Sequence, residues 1–144
     1  MDRRYRNTMV LARVLMAVIF LLNGLGIVNQ SMAAKELAAT GLPAALVPLM
    51  MYGARTLEVV AGLALALGIF PQWAAVALLV FLVPTTFVAH AFWSASPPMF
   101  TAQLVNFLKN VCMWGGLLFV AGTSNQPRVF PRPESTSGGD GRLR

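Results

Sequence analysis

The stretch LVPLMMYGARTLEVVAGLALALGI, residues 46–69, is apolar enough to cross a membrane yet carries Arg55 and Glu58 three residues apart. A transmembrane α-helix needs about 20 residues to cross a hydrocarbon core of ~30 Å, and this run meets that length. On insertion scales a charged side chain at mid-bilayer costs about 2.5 to 3.5 kcal/mol. Opposite charges one helical turn apart inside such a run therefore predict an internal polar site with partners on neighbouring helices.

Three further apolar runs, 9–28, 73–93 and 100–122, accompany it. With 57% hydrophobic residues, 11% charged residues and a mean hydropathy of +0.67, the chain falls outside ordinary soluble domains. Strand-type alternation is absent, and lipid offers backbone groups no hydrogen-bond partner, so the runs are expected to be α-helices. The expected fold is all-α: an integral membrane four-helix bundle forming one domain over residues 1–122, followed by a disordered tail, 123–144, rich in Pro, Gly, Ser and charge. Contact with membrane lipid follows directly.

Orientation is read from the basic residues. Arg3, Arg4, Arg6 and Arg13 crowd the start of the first span, and Arg128, Arg132, Arg142 and Arg144 follow the last. The loop after the first span carries Lys35 against Glu36, and the loop holding Pro97 and Pro98 is uncharged, so the positive-inside rule places both termini in the cytoplasm. The net charge of +6 is then topogenic, and no nucleic-acid partner is expected. Ser31-Met32-Ala33 resembles a signal-peptide cleavage site, but the preceding apolar run exceeds the usual 7–15 residues of a signal core, so the first span is expected to be retained.

Counting ~1.5 Å per residue inward from the outer ends puts Arg55 about 14 Å deep, Glu58 about 18 Å deep and Lys109 about 14 Å below Phe100. Asn23 and His90 fall near the outer ends of the first and third spans. Gln103, Asn106, Lys109 and Asn110 recur at three- and four-residue spacing on the fourth and are expected to face inward, away from lipid. All four spans thus contribute polar groups to the outer half. Gly62 with Ala66, and Gly24 and Gly26 beside Asn23, would let helices approach closely. Residues 33–39 favour a short helix along the outer interface, and Pro84 removes a backbone donor midway along the third span.

The plainest account of these groups is a structural ion pair with amides as interhelical glue. Yet Glu58 neutralises one cation and leaves a second in excess, so the expected cavity is electropositive and suited to an anion or to the carbonyl of a quinone. His90, near outer water, suits proton exchange at neutral pH. One cysteine and one histidine exclude an intrachain disulfide, a dithiol relay, a cysteine-ligated iron–sulfur cluster and bis-His haem within one chain. Cys112, deep in the fourth span, is expected to be buried and inert. Neither a metal site nor an intrinsic cofactor is expected, and no Ser-His-Asp or phosphate-loop pattern occurs.

The run Arg13-Val14-Leu15-Met16-Ala17-Val18-Ile19-Phe20-Leu21-Leu22-Asn23-Gly24, then Glu58 with Gly62 and Gly68, then His90-Ala91-Phe92-Trp93, and finally Gln103 leading to Asn106-Phe107-Leu108-Lys109-Asn110 and Gly115-Gly116-Leu117-Leu118, resemble the DoxX family across all four spans. The resemblance implies a small multi-pass protein of the bacterial or archaeal cytoplasmic membrane, with relatives that serve thiosulfate:quinone oxidoreductase or other membrane oxidoreductase complexes. It matches Glu58, His90, Gln103, Asn106, Lys109 and Asn110 to the family's polar positions, whereas Arg55 is inferred from charge and depth. The expected function is a membrane subunit of a redox system, non-autonomous because it lacks a redox motif, holding a quinone or small sulfur oxyanion. In it Glu58 and His90 manage protons, and Asn23, Arg55, Gln103, Asn106, Lys109 and Asn110 bind the ligand. Its expected partner is an oxidoreductase subunit, with a homo-oligomer as a further option. The alternative is a non-catalytic lipid or solute carrier, assembly factor or scaffold.

Overall fold

The computed structural model describes residues 3–28 and 31–123. Five helices follow one another: α1 (Arg3–Gly24), α2 (Ser31–Ala39), α3 (Leu46–Leu67), α4 (Pro71–Ala89) and α5 (Pro97–Gly122), with a 3-10 turn at Phe92–Ser94. Among the described residues there is no strand. Four helices are long and apolar enough to cross a membrane, α4 together with the turn that follows it, and α2 is the short connecting helix expected over 33–39. Of the expected tail, residues 124–144 lie outside the described part.

The ends of the spans differ from the apolar runs for local reasons. α1 stops at Gly24, and Gly26 then takes φ 75°, a left-handed conformation open to glycine. α3 ends on Gly68, also left-handed, whose N–H reaches the carbonyls of Ala64 and Leu65. α5 begins at Pro97, three residues before the apolar run, because prolines are tolerated in the first turn, where an N–H has no helical acceptor.

α1 packs most extensively on α3, α4 on α5 and α3 on α4, while α5 touches α1 only sparingly. We call the end where α1 begins, α3 turns into α4 and α5 finishes the terminal end, and the opposite one the loop end. The core runs through Ala17 and Phe20 of α1, Leu65 of α3, Ala75 and Leu78 of α4 and Leu117 of α5, all buried. Small residues set the α1–α3 distance. A Cβ on Gly24 would lie 2.7 Å from Val59 Cγ2 and 2.8 Å from the Arg55 carbonyl oxygen, and one on Gly62 would lie 3.1 Å from Leu21 Cδ2. α2 lies across the loop end against α3 and α4.

Candidate functional site

Arg55 and Glu58 sit to either side of the middle of α3 where it meets α1. Glu58 is 5% exposed, Arg55 and Asn23 are half-buried, and all three are engaged in polar interactions. The Arg55 guanidinium lies over the loop that follows α1. A Cβ on Gly26 would stand 3.5 Å from Nη1 and 3.7 Å from Cζ, so this glycine serves both the positive φ and the seat of the guanidinium. Beside it opens a cavity of about 460 Å3 between that loop, α2 and the first half of α3. Ile27, Val28, Pro48 and Met51 give it apolar walls, and Ser31, Tyr52 and Arg55 supply polar groups.

The second polar group lies between α4 and α5. His90 Nδ1 and Gln103 Oε1 are 2.9 Å apart. An amide oxygen only accepts, so Nδ1 is the donor and Nε2 is the ring nitrogen left for another partner. Deeper along the seam, Asn110 Nδ2 donates to Thr86 Oγ1 at 3.0 Å, and the buried Thr86 hydroxyl donates to the Leu82 carbonyl at 2.6 Å. Phe87, Phe92, Trp93, Phe107 and Trp114 pack ring against ring around these bonds. From α2, Glu36 comes within electrostatic reach of His90: burial raises its carboxyl above the ordinary glutamate value, and the His90 charge partly opposes the rise.

The eight residues expected to share one site are therefore divided. Asn23, Arg55 and Glu58 group on α1 and α3, and His90, Gln103 and Asn110 on α4 and α5. Of the eight, Arg55 alone lines the cavity. Asn106 is half-buried on α5. Lys109 departs from its expected inward aspect and is exposed, as is Cys112. At 100° per residue Lys109 is turned about 60° from Asn106 and about 100° from Asn110, so the three- and four-residue spacing that gathers the amides carries the lysine around to the outer surface.

Two residues escaped the sequence reading as members of any site. Thr86 reads as helix filler until its hydroxyl is seen accepting from Asn110. Arg13 reads as one of four flanking arginines, yet it is 1% exposed, and Nε, Nη1 and Nη2 make no hydrogen bond among the described residues. Its signal was positional: it stands four and seven residues before Ala17 and Phe20, on the face that α1 buries. The register that sets Gly24 against Arg55–Val59 and Gly62 against Phe20–Leu21 brings Arg13 level with the α3–α4 turn. Glu58 is then about 16 Å away along the bundle, too far to neutralise it.

Fold and polar seams together define a four-span helical membrane protein with ionisable side chains held inside its bundle. The chain belongs to the DoxX family, whose model matches residues 8–91, from α1 through the end of α4 and short of α5. Neither the curated proteins nor the solved structures yield a match.

Proposed function

We propose that the chain is the membrane-embedded subunit of a redox system and holds a quinone head group, or a small sulfur oxyanion, at Arg55. The observation that carries this reading is the cavity itself, about 460 Å3 with apolar walls and one guanidinium, the arrangement that receives an amphipathic molecule with an electron-rich head. Arg55 donates to a carbonyl or anionic oxygen, Gly26 leaves room for that approach, and Ile27, Val28 and Met51 take the apolar part. His90, held through Nδ1 by Gln103, keeps Nε2 for proton exchange, and Glu36 is a second proton carrier beside it. The electrons pass to or from a partner oxidoreductase subunit. With its basic residues at the terminal end, the chain sits in a bacterial or archaeal cytoplasmic membrane with both termini in the cytoplasm and the cavity facing outward.

A photoreactive quinone added to the purified full chain tests this reading. The expected result is labelling of the peptides around Ile27 and Met51, competed by unlabelled quinone and lost in Ala34→Trp, which fills the cavity from α2 and leaves Arg55 in place. The carrier reading rests on the same cavity, because a lipid phosphate would also be met by Arg55. Labelling competed equally by phospholipid would favour it and sink the quinone assignment.

A further inference from the structure

α5 is the least enclosed of the spans. It buries Leu117 and Val120, packs along α4, and leaves a broad face uncovered. Midway along α5, at one edge of that face, is Lys109, exposed and without a polar partner among the described residues. Twelve residues precede it in the helix and thirteen follow, so it lies about 18 to 20 Å from either end and close to the bilayer midplane. The hydrocarbon core extends ~15 Å to each side of that plane, and a four-carbon stem spans less than half of this distance. Snorkelling therefore leaves the ammonium in hydrocarbon, where a lone charge is strongly disfavoured.

The surroundings of Lys109 are those of a helix contact. Val105 and Cys112, about 40° and 60° around the helix from Lys109, are exposed beside it, and Leu108 and Phe119 continue the uncovered surface. Cys112, a small side chain one turn beyond the lysine and between larger apolar ones, lets another helix come close. We infer that this face of α5 docks a transmembrane helix of a second protein that carries an Asp or Glu at mid-bilayer, paired with Lys109.

Charge complementarity separates that partner from a second copy. Among the described residues the carboxylates are Glu36, on α2 outside the spans, and Glu58, 5% exposed and engaged in the α1–α3 seam. Among its described residues a copy of this chain thus has no free intramembrane carboxylate to offer. A lipid phosphate stays at the headgroup level and does not reach the midplane. The inference stands whatever ligand Arg55 holds.

A photocrosslinking residue placed at Val105 of the full chain in its native membrane tests it, with oxidative crosslinking through Cys112 as the companion. The expected adduct joins Val105 to a peptide within a membrane span of another protein, with an Asp or Glu inside one turn of the crosslinked residue. It falls at least tenfold in Lys109→Met, at unchanged membrane level of the chain, and returns when Lys109→Glu is combined with a Lys at the partner's acidic position. A Cys112–Cys112 dimer as the main product, adducts with lipid alone, or a protein adduct indifferent to Lys109→Met would overturn it.

Discussion

Along the α1–α3 seam the backbones themselves meet, with Gly24 against the Arg55 carbonyl and Gly62 against Leu21, whereas along α4–α5 side chains fill the gap: two amides, a histidine, a threonine and a layer of aromatic rings. The first seam has no slack, and it is where Arg55 and Glu58 are placed. The second distributes its cohesion over many modest contacts. Close backbone approach holds the positions of Arg55 and Glu58 on α3 firmly against α1. A side-chain seam leaves room for polar side chains between the helices.

Substitutions should separate the two seams, and Gly24→Leu is expected to do so most strongly. A side chain there meets the Arg55 carbonyl, which the α3 backbone cannot move aside, so the loss should reach or exceed the upper end of the about 1–3 kcal/mol usual for overpacking. Gly62→Ala should cost less, since Leu21 has only tenths of an ångström to yield. Thermal unfolding in detergent, read by near-UV circular dichroism, ranks the two, and equal losses would remove the distinction between backbone and side-chain obstruction. Arg13→Met, midway along α1 and level with the α3–α4 turn, should act with the opposite sign. Removing a buried guanidinium that makes no hydrogen bond is expected to raise stability by about 1 kcal/mol or more in the same assay. A fall would show that the guanidinium is neutralised in the membrane.

Along α4–α5, Asn110→Leu and Thr86→Val should each lower stability modestly, and the double variant should reveal a coupling near 0.6 kcal/mol, the average for hydrogen bonds within membranes. Additive losses would mean that the bond contributes nothing beyond packing. The smallest effect belongs to α2. Burial raises the Glu36 carboxyl, so the docked helix retains its proton over a window that opens at the ordinary glutamate value of 4.5. Docking is therefore firmest below that window and weakens as pH rises through it. The protection of amides 33–39, taken relative to their intrinsic exchange rates at each pH, should fall across the window in wild type and stay constant in Glu36→Gln.

The same contrast explains what the sequence disclosed. Charges and glycines within apolar runs are conspicuous, so Arg55, Glu58, Gly24 and Gly62 could be placed before any coordinates, as could four spans and the short helix between the first two. Contacts made by ordinary residues are not. Thr86 acquires meaning only through Asn110, Arg13 was hidden among its flanking neighbours, and the inward placement of Lys109 failed because a three-residue step rotates a helix by 300° and accumulates. The single polar cavity expected from depth alone resolved into two groups, since depth fixes the level of a side chain along a span and leaves its direction open.

The claim that the Arg55 cavity receives an amphipathic ligand is tested most directly by gentle extraction from the native membrane and native mass spectrometry, comparing wild type with Ala34→Trp. A quinone-sized mass retained by wild type and absent from the filled variant is the predicted result. Phospholipid alone, retained equally by both, would contradict the account.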